Sequence, residues 1–127
     1  MISDRLDSAY QEKCRDILNE EQARSLSETN CWEHVDRARV HADWDAFYKD
    51  LSKFIDTSDP TDEHIQGLVH RHHEISCRFY TPSREAYIGM ALLYSENPTM
   101  RNFHNAYHPG MVAFLSSAML AYALENL

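Results

Sequence analysis

Histidines cluster in one short segment of the chain, HRHHE. His70, His72 and His73 are followed directly by Glu74, and imidazole and carboxylate groups are common zinc ligands. On a helix, His70 and His73 share one face while His72 points elsewhere, and the pattern of two histidines four residues apart around a glutamate is missing. A metal site would therefore need a ligand from a distant segment, such as the one around His104.

The sequence lacks the local patterns of common catalytic sites, namely a serine nucleophile elbow or a glycine-rich phosphate loop. We therefore expect no enzymatic activity and no cofactor. The three cysteines Cys14, Cys31 and Cys77 are far apart and are predicted to be free thiols. Arg78 follows Cys77, and a cationic neighbour favours a thiolate, although a cysteine within a helix is more often a small core residue.

Tyrosines recur at a spacing that could form one wall of a ligand pocket. Tyr80, Tyr87 and Tyr94 lie seven residues apart, so Tyr87 and Tyr94 fall almost on one line along a helix. Tyrosine offers a ring and a hydroxyl, and a neighbouring methionine such as Met90 adds adaptable apolar surface. Gly89 in the same helix costs about 1 kcal/mol relative to alanine. Either close helix packing or room for a ligand would explain that glycine, and the pattern leaves both open.

These residues must be positioned by helices, and the clearest helix is predicted within residues 59–80. Its apolar stripe recurs at spacings of three and four residues: Ile65, Leu68, His72, Ile75 and Phe79. Asp59 is predicted to cap this helix and Pro60 to occupy its first position. His72 lies within the stripe, so it is either a buried, hydrogen-bonded core residue or the polar floor of a cavity.

The N-terminal half is predicted to hold three helices. The first runs from Ser3 or Asp4 to about Leu26, and a thin stripe among many charges indicates weak packing: Leu6, Tyr10, Lys13, Ile17 and Glu20. A linker over residues 25–30 precedes a short helix over residues 31–40, anchored by Trp32 and Val35. The third helix is predicted over residues 42–56 from a regular apolar spacing: Trp44, Phe47, Leu51 and Phe54 or Ile55.

Three further helices are predicted in the C-terminal part of the chain. Thr81 and Pro82 resemble a helix cap and first position, and this helix should run to about residue 96. A short helix is predicted from residue 99 to about residue 107. The last helix, after Gly110, is apolar almost all round, which is typical of a helix enclosed by others. We therefore expect it to be the central buried helix.

Composition limits the fold and the partners. The 127 residues are 43% apolar and 25% charged, with only three glycines and four prolines, which favours one all-α domain of six or seven helices. The net charge is −8, and residues 1–63 carry 16 acidic and 8 basic side chains whereas residues 64–127 carry four of each. We expect no direct contact with nucleic acid. The absence of a signal peptide or membrane span predicts a cytoplasmic protein.

A set of motifs from about His70 to Tyr122 resembles the TipAS antibiotic-binding domain, the globin-like effector domain of drug-sensing regulators in the MerR family. The matched features are a histidine on the helix within residues 59–80, Tyr94 at the end of the next helix, and the run PGMVAFLSSAMLAY over residues 109–122. Trp44 also fits the pattern. The resemblance implies a globin-like fold and recognition of an antibiotic or peptide-like small molecule.

The sequence departs from the family pattern at two places. Residues 97–100 are NPTM, where the family tends to have Asp-x-Arg-Phe. Family members that capture thiopeptides covalently use a cysteine in the preceding helix, near the place that Gly89 occupies here, so the resemblance implies noncovalent binding. The DNA-binding and coiled-coil segments of MerR-type regulators are not visible. The chain resembles the effector domain alone, either of a regulator or as a stand-alone drug-sequestering protein.

These observations predict a single ligand-binding domain over residues 1–127, with residues 59–127 as its core and the acidic residues 1–58 as a helical lid. The site is expected to hold a bulky, largely apolar compound noncovalently in a cleft between helices. The predicted ligand-binding residues are His72, Phe79, Tyr87, Met90, Tyr94, Met111 and Phe114. The alternatives are a metal-binding protein or enzyme that uses His70 and His73, and a protein interaction domain in which an oligomeric partner occupies the groove.

Overall fold

Six α-helices form the protein in a computed structural model that describes residues 2–127. The helices are α1 (Ser8–Glu28), α2 (Arg37–Ser52), α3 (Glu63–Ser76), α4 (Arg84–Glu96), α5 (Pro98–Asn105) and α6 (Met111–Asn126). A short 3-10 helix, Ile2–Asp4, precedes them, and residues 2–127 contain no strand. The all-α fold predicted from the sequence is therefore confirmed.

The last helix, α6, is the centre of the bundle, as its all-round apolar sequence predicts. It packs against α3, α4, α5 and the 3-10 helix. Ten of its sixteen residues are buried, and Met111, Leu115 and Met119 are fully buried. Burial of a side chain of this size stabilises a fold by roughly 1.5–3 kcal/mol, so α6 provides a large part of the core.

The first helix packs tightly, contrary to the prediction from its polar sequence. Its buried residues are Gln11, Cys14, Leu18 and Ser25, on a different face from the predicted stripe. The contact forms because Gly89 of α4 has no side chain. A Cβ atom at that position would lie 2.5 Å from the carbonyl oxygen of Cys14. The backbones of the two helices therefore approach each other directly at Gly89. Gly89 therefore serves close helix packing and leaves no room for a ligand.

The acidic residues 1–58 do not form a separate layer over a core made by the rest of the chain. Cys14 of α1 and Val40, Phe47 and Leu51 of α2 belong to the same buried cluster as the side chains of α6. Both helices therefore contribute to the core of this structure, and their predicted movement as a lid on ligand binding stays a prediction. Their charges lie on the solvent side, while a few apolar residues on the inner side complete the core.

The helix that carries the histidines starts later than predicted. It begins at Glu63 after Asp62, and the carboxylate of Asp62 accepts a hydrogen bond from the backbone N–H of Asp59 at 2.9 Å. Asp59 and Pro60 therefore lie in a turn ahead of α3 and do not cap it. The helix also ends at Ser76, so Phe79 of the predicted stripe lies in the segment that follows.

The same displacement occurs at the start of α4. The helix begins at Arg84, and the hydroxyl of Ser83 accepts a hydrogen bond from the N–H of Ala86 at 3.2 Å. Thr81 and Pro82 lie in the extended segment before this cap. In both helices the proline precedes the cap residue, and in α4 the Ser83 hydroxyl closer to the first turn accepts one of the free N–H groups.

The segment between α1 and α2 also differs from the prediction. The expected linker, residues 25–30, is mostly helical because α1 continues to Glu28. The expected short helix at residues 31–40 is replaced by a turn, because Asn30, Cys31 and Trp32 have φ angles of 52°, 60° and 62°. These angles are left-handed and incompatible with a right-handed helix. A single helix, α2, follows from Arg37.

Candidate ligand-binding cavity

A cavity of about 440 Å³ lies between α2, α4 and α5 and is bordered by the segments that follow α1 and α3. It is partly open to solvent, and its lining is mostly aromatic and apolar. The lining residues are Gln22, Trp32, His41, Trp44, Asp45, Tyr48, Ser76, Phe79, Tyr80, Pro82, Met90, Leu93, Tyr94, Thr99, Met100, Phe103, His104 and Tyr107.

Stacked aromatic rings form the wall on the side of α2. Trp44 and Tyr48 are one turn apart on this helix, and their ring centroids are 6.1 Å apart with planes only 14° from parallel. Tyr107, just after α5, places its ring 5.1 Å from that of Tyr48. On the other side, the ring of Trp32 meets that of Phe79 edge to face at 4.9 Å. The rings support one another, so their surfaces are held in place before any ligand arrives.

The floor of the cavity is a hydrogen-bonded set of neutral rings. His104 is almost fully buried, and its ring lies 4.1 Å from that of Tyr94. Its Nδ1–H donates to the carbonyl oxygen of Met100 at 2.6 Å, because a carbonyl only accepts. The Nε2 atom then accepts from the hydroxyl of Tyr48 at 2.9 Å. Burial lowers the pKa of His104, which agrees with this neutral tautomer.

His72 lies directly behind the floor and is fully buried. Its Nδ1 atom is 2.7 Å from the hydroxyl oxygen of Tyr87, and its Nε2 atom is 3.3 Å from that of Tyr94. Burial lowers the pKa of His72 to about 3, so one nitrogen donates and the other accepts. The ring of Trp44 packs against the imidazole at 4.7 Å. His72 thus positions a wall residue and a floor residue without reaching the cavity itself.

Polar groups are few and lie mainly at the rim. The carboxylate of Asp45 accepts a hydrogen bond from the hydroxyl of Tyr107 at 2.7 Å and pairs with Lys49 at 2.8 Å. Lys49 and then Tyr107 hold the pKa of this carboxyl below its usual value.

The hydroxyl of Tyr80 is buried and has no protein partner, and burial raises its pKa to about 12. A ligand that borders Tyr80 could offer it an acceptor.

Three of the seven predicted ligand-binding residues line this cavity, namely Phe79, Met90 and Tyr94. His72 is one layer behind them, in contact with Tyr94. The other three lie in the core outside the cavity: Tyr87, Met111 and Phe114.

The surroundings of these three residues explain why they do not line the cavity. The ring of Tyr87 packs 5.2 Å from His73 and 6.0 Å from Tyr122, so it fills the space between α3, α4 and α6. Met111 and Phe114 belong to α6, which is enclosed by other helices and does not border the cavity. The seven-residue spacing of Tyr87 and Tyr94 therefore indicates a shared helix face but not a shared site.

Sequence reasoning missed the contribution of α5 to the cavity. Met100, Phe103, His104 and Tyr107 are spaced at i, i+3, i+4 and i+7, the pattern of one apolar helix face. All four line the cavity. This spacing was present in the sequence, but the segment is short and its other residues are polar, so the apolar face was not recognised.

The histidines of α3 do not assemble a metal site with distant ligands. His70 bonds through Nδ1 to the hydroxyl of Tyr122 at 2.7 Å and through Nε2 to Glu74 at 3.2 Å. His104 has its own partners at the cavity floor. Within residues 2–127, no group of three or more His, Cys, Asp or Glu side chains is arranged to hold a metal ion. Over the same range, no helix has the length and apolarity needed to cross a bilayer.

The fold and the cavity define the class of this molecule, an all-α protein with a partly open, aromatic-walled cavity of the kind that holds small molecules. A family model described as the TipAS antibiotic-recognition domain matches residues 10–122. Because the match covers most of the chain, the protein belongs to the TipAS family. The match confirms the resemblance over His70–Tyr122 and extends it to α1 and α2. Comparisons with curated proteins and with solved structures gave no significant match.

Proposed function

We propose that the protein binds bulky, largely apolar, antibiotic-like small molecules in the cavity between α2, α4 and α5. The observation that carries this proposal is the lining itself, in which eight aromatic rings and two methionines surround about 440 Å³. Membership of an antibiotic-recognition family supports the same assignment. Cavities of drug-sized ligands range from about 300 to 1,000 Å³, so this one suits a drug-sized molecule or one segment of a larger macrocycle.

Binding is proposed to be noncovalent because, within residues 2–127, no cysteine borders the cavity. Cys14 is fully buried against Gly89, and Cys77 is partly buried beside His73. Burial raises the pKa of both thiols, which keeps them protonated and weakly nucleophilic. Cys31 is exposed in the turn after α1.

We further propose that the chain acts as the effector domain of a transcriptional regulator of the MerR type or as a stand-alone drug-sequestering protein in the cytoplasm. In the first role a separate segment would contact DNA, because the net charge of −8 opposes binding of this domain to phosphate backbones. In the second role the domain would lower the free concentration of a toxic compound by binding it.

The chain offers a direct reporter of the cavity. Its two tryptophans, Trp32 and Trp44, both line it. Intrinsic tryptophan fluorescence should therefore change on titration with thiopeptides, other macrocycles and smaller apolar antibiotics, and calorimetry would give the affinities. Failure of every compound in a broad panel to bind at high micromolar concentration would contradict the proposal.

A matched pair of variants tests whether the cavity is the site. Phe103 lines the cavity and is 52% exposed, whereas Phe54 is 37% exposed, borders His64 and lies outside the cavity. Phe103→Ala should weaken a bound ligand about tenfold through the loss of one ring contact, while Phe54→Ala should leave the affinity unchanged. Equal affinities of the two variants for the ligand would place the site elsewhere.

A further inference from the structure

The charge of the cavity lining is one-sided. Among the eighteen lining side chains, drawn from residues 2–127, Asp45 is the only carboxylate and none is a lysine or arginine. We infer, resting on the proposed function, that this site prefers a lipophilic cation, with Asp45 as its counter-ion and the rings of α2 and α5 as its cage. An organic cation with aromatic or aliphatic substituents is the chemical class that fits.

Three of the aromatic side chains that line the cavity, Trp44, Tyr48 and Tyr107, form one cluster beside Asp45. The Trp44 and Tyr48 planes are within 14° of each other, and Tyr107 is tilted by 41° from Tyr48 at 5.1 Å. A cation within about 6 Å of such a ring centroid is attracted by the electron-rich face. An anion of the same size would be repelled by it.

The geometry holds the Asp45 carboxylate at the edge of this ring cluster. The Tyr107 hydroxyl donates to Oδ1, while the Lys49 ammonium pairs with Oδ2. Lys49 is 66% exposed and does not line the cavity, so solvent screens its charge. A ligand in the cavity would meet the acid and not its lysine partner.

The buried histidines at the floor of the cavity carry no positive charge that would repel a cationic ligand. The Nδ1–H of His104 is engaged by the Met100 carbonyl and its Nε2 accepts from Tyr48, so the imidazole is neutral. His72 behind the floor is likewise bonded to two phenols. His41 is the other histidine of the lining and is exposed.

The charge of the whole chain acts in the same direction. The surplus of eight negative charges lies entirely within residues 1–63, which include α2 and Asp45. A field of this sign raises the local concentration of cations and lowers that of anions.

The test uses two ions of the same shape and opposite charge, tetraphenylphosphonium and tetraphenylborate, with a neutral compound such as triphenylphosphine oxide. Tryptophan fluorescence and calorimetry on the full chain at about pH 8 should show the phosphonium binding at least tenfold more tightly than the borate. The preference should shrink at higher salt concentration. Equal affinities, or tighter binding of the borate, would overturn the inference.

Asp45→Asn and Asp50→Asn provide the matched variants. Both carboxylates lie on α2 and pair with a cation, their side chains are 44% and 42% exposed, and Asp50 bonds to Arg71 outside the cavity. Asp45→Asn keeps an oxygen to accept from Tyr107 and should weaken phosphonium binding about three- to fivefold. Asp50→Asn should leave it unchanged. A loss of the same size in both variants would contradict a local role for Asp45.

The outcomes separate this inference from the proposed function. Binding of neutral compounds without any preference for the cation would overturn the charge selection and leave the cavity as a ligand site. Binding of no compound of any charge would overturn both.

Discussion

At the scale of single residues, the cavity depends on a layer of buried neutral polar groups. His72 joins Tyr87 and Tyr94, and His104 joins Tyr48. Each ring nitrogen or hydroxyl in this layer would cost free energy if it lost its partner in the buried interior. The hydrogen bonds therefore fix the orientation of the rings that form the floor.

Removal of the Tyr87 hydroxyl tests this layer. Tyr87→Phe leaves Nδ1 of the fully buried His72 without a partner and should lower the free energy of unfolding by about 1–3 kcal/mol, as measured by urea denaturation. Tyr10→Phe is the control, because the Tyr10 hydroxyl is partly exposed and its hydrogen bond to Glu85 is long, at 3.4 Å. Its effect should stay within about 0.5 kcal/mol. Equal losses in the two variants would contradict a special role for the buried bond.

The buried histidine also predicts how stability depends on pH. The pKa of His72 is about 3 in the folded protein against an ordinary value of 6.5, so between these values the unfolded chain binds a proton that the folded chain does not. The contribution of neutral His72 to the free energy of unfolding is fully present above about pH 6.5 and is lost as the pH decreases. From pH 7 to 5 the loss from His72 should be about 2 kcal/mol, and His73 and His104 shift in the same direction. Urea midpoints that coincide at pH 7 and pH 5 would contradict this.

At the scale of helices, α1 and α4 lie in close contact. This contact depends on Gly89, where a Cβ atom would meet the carbonyl oxygen of Cys14 at 2.5 Å. A backbone oxygen cannot rotate away as a side chain can, so the two helices would have to move apart. The contact also bears on the cavity, because α4 carries three of the lining residues, Met90, Leu93 and Tyr94.

Two glycine substitutions give opposite predictions for stability. Gly89→Ala should destabilise the protein by about 1–3 kcal/mol through overpacking. Gly67→Ala should stabilise it by about 0.5–1 kcal/mol, because Gly67 is exposed within α3 and a Cβ there has no neighbour within 4 Å. Thermal and urea unfolding of both variants would measure the difference. A stabilising Gly89→Ala would show that α1 is not held as closely as described.

The helices that could be predicted from the sequence are those with strong local patterns. The stripe of α3 and the apolar run of α6 gave their type and order correctly. Helix starts were missed because Pro60 and Pro82 lie in the non-helical segments ahead of the caps. The packing of α1 could not be read from its own residues, because the contact depends on Gly89, far along the chain.

At the scale of the whole molecule, the cavity unites segments from both halves of the chain. Family motifs and helix periodicity pointed to Phe79, Met90 and Tyr94, which lie on or beside α4. The opposite wall comes from Trp44 and Tyr48 of α2 and from α5, and local spacing gives no information about which distant helices meet. The site could therefore be predicted in part, on one wall only, and the missing wall is a property of the tertiary fold.

The most direct test of the ligand cavity follows the methionine methyl groups by NMR on addition of a bulky apolar compound. Met90 and Met100 line the cavity, whereas Met111 and Met119 are fully buried in the core away from it. The methyl signals of Met90 and Met100 should shift with ligand concentration, while those of Met111 and Met119 should stay in place. Saturable shifts confined to Met111 and Met119 would contradict it and return the binding site to the face of α6.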